Sequence, residues 1–231
     1  MKKYLFLLTL VWALAFTAQA QLDSILLANS KFIDVGYYPD HQFSPYYFKD
    51  WVRATIIGTS QGRVDSVLLN YNGYTRRFEL KLGEFYLELN HRYFVRVVVD
   101  TAGNNLNSAL GDRVVFQRGL HPKFSKEFLV LNYTGRNAFL LSQFVCGTQK
   151  SERLDITAGI IQEIRRYAPK TNYFILRDGE LKAIKFKKKS LLKALGGYKK
   201  ELSAFLKANN NPLETEMDVH QLMIYYDQIA E

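Results

Sequence analysis

Hydrophobic and polar positions alternate through the second quarter of the chain, and that alternation predicts strands. In Thr75 to Leu82, Arg76, Phe78, Leu80 and Leu82 share one parity, while Thr75, Arg77, Glu79 and Lys81 share the other. Successive strand side chains point to opposite faces, so the pattern predicts a strand with one buried and one wet face. Phe85, Leu87 and Leu89 against Tyr86 and Glu88 repeat it, as do Tyr93, Val95, Val97 and Val99. Tight-turn signals stand at Gln61-Gly62, Asn72-Gly73 and Gly83-Glu84. One-sided alternation broken by tight turns predicts an antiparallel meander of four or five strands between Trp51 and Asp100. Phe78, Leu80, Leu82, Leu87, Val95 and Val97 are expected inside, and Arg77, Glu79 and Glu88 outside.

Beyond a polar loop at Thr101 to Asp112, strands are predicted at Arg113 to Gln117, Glu127 to Tyr133 and Ala138 to Val145. Thr157 to Tyr167 fits either a helical face or a strand. Tyr173 to Arg177 and Glu180 to Phe186 flank Asp178-Gly179, the signature of a type I′ hairpin. The period then changes to helical. Ser190 is expected to cap a helix over Leu191 to Leu195 that ends at Gly196-Gly197, and a second helix covers Lys199 to Ala208. Thr215 and Asp218 form a capping-box pattern before Val219, Leu222, Met223, Tyr226 and Ile229 at helical spacing. The expected fold class is therefore α+β: an antiparallel β-meander, as an open sheet or partial barrel, with C-terminal helices packed on it.

The first residues carry a different message. Lys2 and Lys3 precede an apolar run from Tyr4 to Phe16, and Ala18-Gln19-Ala20 is a small-x-small cleavage pattern, so residues 1–20 read as a signal peptide. The run is short for a membrane-spanning helix, which needs about 20 residues. The expectation is an exported chain, periplasmic or secreted, with no transmembrane segment after cleavage. It divides into a β-rich part over 21–189 and a helical segment over 190–231. Leu22 to Gly36 is open between strand and short helix. Tyr37 to Phe48, dense in aromatics and broken by Pro39 and Pro45, is either a stacking platform for flat ligands or a lid on the sheet, and the lid is the reading adopted.

Composition narrows the chemistry. Cys146 is the single cysteine, which excludes an intramolecular disulfide and a cysteine-based zinc site. Four histidines stand far apart at 41, 91, 121 and 220, and no P-loop, dinucleotide fingerprint or Gly-x-Ser-x-Gly elbow occurs, so no cofactor and no catalytic residue is assigned. Charge is the signal that remains. The net charge of +9 becomes +7 when Lys2 and Lys3 leave with the signal peptide. From Arg165 to Lys207 thirteen Lys or Arg face only Asp178, Glu180 and Glu201, whereas residues 208–231 hold five acids and no Lys or Arg. Lys185, Lys187, Lys188 and Lys189 are the candidate anion contacts, with Lys185, Lys187 and Lys189 on one face of a continuing strand. Nucleic acid is not expected to meet an exported chain. Anionic envelope lipid or acidic polysaccharide is the expected partner, and a hydrolase acting on an envelope polymer is the alternative.

Ser44-Pro45-Tyr46 followed by Trp51, the meander with Leu69-Asn70-Tyr71-Asn72, the Asp178-Gly179 turn, the lysine run before Ser190-Leu191-Leu192 and a last helix with Tyr225-Tyr226 resemble a family of uncharacterised exported bacterial envelope proteins. The resemblance implies a secreted or periplasmic β-rich protein and carries no active-site residues.

Export generates the first prediction. Protein isolated from the producing cell should begin at or within a residue or two of Gln21 by N-terminal sequencing. Recovery of a chain with intact Met1 in the cytosol would overturn the signal-peptide reading.

Overall fold

The computed structural model describes residues 30–33, 44–58, 62–104, 111–155 and 160–230, without the side chains of 151 and 153–165. Residues 1–20, which the sequence reads as a signal peptide, residues 37–43 of the aromatic stretch, Gln61 of the first turn and the middle of the polar loop lie outside the described residues.

Eleven strands form one antiparallel sheet: β1 (Ser30–Phe32), β2 (Val52–Gly58), β3 (Arg63–Asn72), β4 (Arg77–Leu82), β5 (Phe85–Leu89), β6 (Phe94–Asp100), β7 (Arg113–Arg118), β8 (Phe128–Thr134), β9 (Phe139–Asp155), β10 (Ile160–Arg177) and β11 (Glu180–Ile184). Three helices close the chain: α1 (Lys188–Leu195), α2 (Lys199–Ala208) and α3 (Glu216–Ile229). The strand order is β1-β5-β4-β3-β2-β6-β7-β8-β9-β10-β11. Two meanders are therefore joined where the chain leaves β5, crosses the end of the sheet and lays β6 on the free side of β2. The fold is α+β, an open antiparallel sheet with C-terminal helices, and it does not close into a barrel. Turn chemistry follows the sequence: Asp178 and Gly179 both have positive φ, 52° and 74°, as a type I′ turn requires. The ambiguous stretch before Tyr167 is a strand from Ile160, because its backbone is paired along β9 from Ile160 opposite Asp155 to Leu176 opposite Phe139.

The sheet curls. Phe78 on β4 and Phe116 on β7 are four strand positions apart, about 19 Å in a flat sheet, yet their ring centroids are 5.1 Å apart. Bulges supply the bend. One lies in β3 opposite the Ala54–Ile56 step, where Ser66 takes φ 60°, and another lies in β6 opposite Ile57 and Gly58. Inside the curl Leu69, Tyr71, Phe78, Leu80, Leu87, Phe94, Val97 and Phe116 are fully buried. Tyr47 and Phe48 pack into the same core, so this end of the aromatic stretch covers the sheet as the lid reading expects. Burial lifts the Tyr47 phenol to about 12.

Along β8 to β10 both sheet faces are covered. Leu140 and Ile175 face the helices and join Leu191, Leu195, Leu202, Leu222 and Met223 in a second core. Leu129, Leu141 and Phe174 pack on the other face under Phe124. The run Phe139-Leu140-Leu141 is apolar on both parities for that reason.

Several expected burials are corrected. Glu79, expected outside, is 1 % exposed, because the outer face of β4 is not wet: Tyr46 Oη donates to its carboxylate at 2.6 Å and Asn72 Nδ2 at 2.8 Å. Arg77 and Glu88 are half-buried beside each other, at 3.9 Å. Val95 is half-buried and Phe94 occupies the core instead, since the β6 bulge inserts a residue and flips the parity there. Leu82 is half-buried, and Phe85 is exposed at the start of β5, where its ring packs T-shaped with Phe32 at 5.9 Å. Thr75 and Arg76 belong to the turn before β4 rather than to the strand.

Gly73 joins three parts of the fold. Its N–H donates to Pro45 O and its carbonyl accepts from Cys146 N, both at 2.9 Å. A Cβ there would lie 2.6 Å from Phe144 Cε1 and 3.1 Å from Cys146 N. Gly73→Ala should therefore destabilise the protein by about 1–3 kcal/mol, read from urea unfolding. Unchanged stability would mean that Phe144 and the β9 backbone withdraw freely.

Candidate functional site

The four candidate lysines lie in one five-residue junction between β11 and α1, and all four are exposed. Lys185, Lys187 and Lys189 do not share one strand face as expected. β11 ends at Ile184, Lys185 starts the connection, Lys187 is the N-cap of α1, and Lys188 and Lys189 are its first two residues. Local hydrogen bonds explain the shift. Lys185 N donates to Ser190 Oγ at 3.0 Å and Lys187 N to Lys185 O at 2.7 Å, which turns the chain into the helix. Ser190 thus fastens the junction from inside the first turn instead of capping the helix, and Lys187 makes no side-chain cap bond. Leu191, Ala194 and Leu195 bury the opposite side of α1 against the sheet, so the lysines are held on a rigid base.

Physical chemistry disfavours this placement for stability alone. A helix N-terminus carries partial positive charge and favours acids, yet no acidic residue stands in the first turn of α1. None of the four ammonium groups lies within ion-pair distance of a carboxylate among the described residues; Glu180 pairs with Lys182 and Asp178 with Arg177, each at 2.8 Å. The acids of α3 do not neutralise the lysines either. Asp227 accepts from Tyr133 Oη at 2.7 Å and from the backbone N–H groups of Arg136 and Asn137. Glu216 accepts from Tyr173 Oη at 2.6 Å. Asp218 closes the capping box with Thr215, whose backbone N–H is the main reason its carboxyl titrates below the usual range. The acids of α3 hold the fold together, and the four lysines face solvent with no ion pair among the described residues.

Three carboxylates of the curled sheet are engaged by neighbouring side chains. Glu79 and Glu88 are cross-strand partners, but Glu79 is held by Tyr46 and Asn72 while Glu88 neighbours Arg77. Glu127 accepts from Arg76 at 3.0 Å and from Gln143 Nε2. Among the described residues no three His, Cys, Asp or Glu side chains converge to hold a metal ion. No helix among them is long and apolar enough to cross a membrane.

A second charged cluster was not visible in the sequence. Arg77 Nη1 donates to His91 Nδ1, and Arg118 Nη2 reaches Arg92 O at 3.4 Å. These residues come from β4, the β5–β6 crossover and β7, and only the curl brings them to one rim. Burial, then the charges of Arg77, Arg118, Arg92 and Lys126, pushes the His91 imidazole down to about 4. Burial and Arg77 also lower Arg118.

Fold and site together define a class: an α+β protein whose curled open sheet carries an exposed basic junction at its helical end. Compared with models of known families, with curated proteins and with solved structures, the chain gives no match.

His91 supplies a test of the rim. Its folded pKa lies below the ordinary 6.5, so the stabilisation is complete above about pH 6.5 and is lost as pH falls through about 4. The His91 ring should titrate near pH 4 by NMR, and His91→Gln should flatten the fall in urea midpoint between pH 6.5 and 4. A ring titrating at 6.5 would rule out the contact with Arg77.

Proposed function

We propose that the mature chain is an exported, non-catalytic binding module of a bacterial envelope that attaches through the β11–α1 junction to an anionic lipid surface or acidic polysaccharide. The observation that supports it is the separation of charge: Lys185, Lys187, Lys188 and Lys189 project unpaired from the positive end of a helix, while the acids of α3 are bonded into the fold. Each ammonium contributes about 1 kcal/mol near an anionic membrane surface. The helix N-terminus adds uncapped N–H groups and dipole to the same patch. Export rests on the Lys2-Lys3 n-region, the apolar run and the Ala18-Gln19-Ala20 signal, and the resemblance to exported envelope proteins agrees with it. The ribbon, core and helices then serve as a scaffold that holds the cationic patch at fixed geometry.

Binding of the mature protein to phosphatidylglycerol vesicles, phosphatidylcholine vesicles and alginate should separate the partners. Retention on one anionic material is expected at low salt, and it should weaken as salt rises because exposed charges are screened beyond about 8 Å at physiological ionic strength. Changing Lys185, Lys187 and Lys189 to Gln should abolish most of it. Lys187→Asp should also reduce binding while raising the thermal midpoint by about 2–4 °C, since it supplies the missing cap and reverses an unfavourable helix charge. Equal binding by wild type and the Gln variant at all salt concentrations, or no binding to either anionic material, would leave the patch as a solvated face.

A further inference from the structure

A cleft of about 360 Å³ opens at the end of the sheet away from the lysine junction. Three turns surround it: the segment at Leu120 to Phe124, the β8–β9 turn at Arg136 and Asn137, and the Asp178-Gly179 turn. Its floor is apolar, made by the half-buried side chains of Leu120, Phe139 and Leu176. Its rim carries His121, Arg136 and Arg177. Volume and lining match a small-molecule site, for which about 300–1,000 Å³ and a few convergent polar groups on apolar walls are usual.

The rim is held in place by the rest of the fold. Asp227 of α3 accepts from the backbone N–H groups of Arg136 at 2.9 Å and Asn137 at 3.1 Å, which fixes the turn that carries Arg136. Its guanidinium is left exposed, with no ion pair among the described residues. Arg177 bonds Asp178 at 2.8 Å and Tyr226 Oη at 3.4 Å, and its guanidinium lies over Gly196, where a Cβ would sit 2.8 Å from Nη1. His121 Nδ1 accepts from Lys123 N at 3.1 Å, so the ring's available donor is Nε2. Asp178 offsets one of the two guanidiniums, and Arg136 remains as the uncompensated cation.

From this arrangement we infer that the cleft binds a small amphipathic acid, with its carboxylate or phosphate on Arg136 and His121 and its hydrocarbon body on Leu120, Phe139 and Leu176. An apolar floor alone would accept a neutral hydrocarbon, and a cationic rim alone would accept any anion. Their combination selects molecules with both parts. The five residues of β11 separate this cleft from Lys185 by about 17 Å, so the site is independent of the lysine junction.

The test is an amide-resolved NMR titration of the mature protein with octanoate and octyl phosphate, against octanol and acetate as half-ligands. Octanoate or octyl phosphate should shift the amides of Leu120, His121, Arg136, Asn137 and Gly179, and octanol and acetate should bind at least tenfold more weakly. Arg136→Gln removes an exposed group whose backbone bond to Asp227 survives, so it should fold normally and weaken binding about ten- to a hundredfold, the worth of one charge-assisted hydrogen bond. The variant with Lys185, Lys187 and Lys189 changed to Gln should bind the acids as wild type does. No shifts at these amides, equal binding of octanol and octanoate, or an unaffected Arg136→Gln would each overturn the inference.

Discussion

The ring of Phe116 is the contact on which the architecture turns. It meets Tyr47 at 5.1 Å, Phe48 at 6.1 Å, Tyr71 at 5.4 Å and Phe78 at 5.1 Å, joining the segment before β2 to β3, β4 and β7. Phe78 extends the cluster to Phe128 on β8, at 5.0 Å. A sheet of eleven strands with one long apolar face has to cover that face. Its first meander and the strands beyond the crossover do so by curling onto each other, and aromatic rings are large enough to fill the space between. Phe144 of β9 still packs into the curl against Tyr47 at 5.3 Å, while Leu140 and Ile175 of the last strands are covered by α1 to α3. Curl and helices are two answers to the same constraint.

Behind β3 and β4 lies a layer of buried polar side chains that fixes the chain entering the sheet. Asn70 donates to the carbonyls of Phe48 and Asp50 and accepts from Phe48 N, which imitates strand pairing with a side chain. Glu79 takes Tyr46 Oη and Asn72 Nδ2. A buried carboxylate is tolerated only when donors surround it, so Glu79 belongs with Tyr46 as a structural unit. The lid and the sheet are locked by the same few residues.

Charge is distributed on a comparable logic. Carboxylates of α3 point into bonds with Tyr133, Tyr173 and turn amides, while the lysines of the β11–α1 junction point outward at the positive end of a helix. The protein thereby keeps acids where they hold helices to sheet and leaves the junction lysines exposed to solvent. The cleft beside Arg136 uses the same anchor, since Asp227 that fastens α3 also positions the turn bearing that arginine.

What the sequence determined by itself was local. Alternation marked the strands, Asp178-Gly179 marked the hairpin, and Thr215 with Asp218 marked the last helix, because each depends on side chains within a few residues of one another. The lysine run was equally plain, being contiguous. Tertiary structure alone decided the crossover that sets β6 beside β2, since strand order is chosen by which edges meet and not by any single strand's pattern. It decided that Glu79 is buried and Val95 is not, because Tyr46 lies 33 positions from Glu79 and a bulge in one strand is felt only against its neighbour. It decided that the lysines sit at a helix start, where Ser190 reaches back to Lys185. The His91 rim and the Arg136 cleft likewise gather residues from turns distant in the chain. Short-range periodicity encodes faces, whereas the pairing of distant edges and turns is settled only when the apolar face closes on itself.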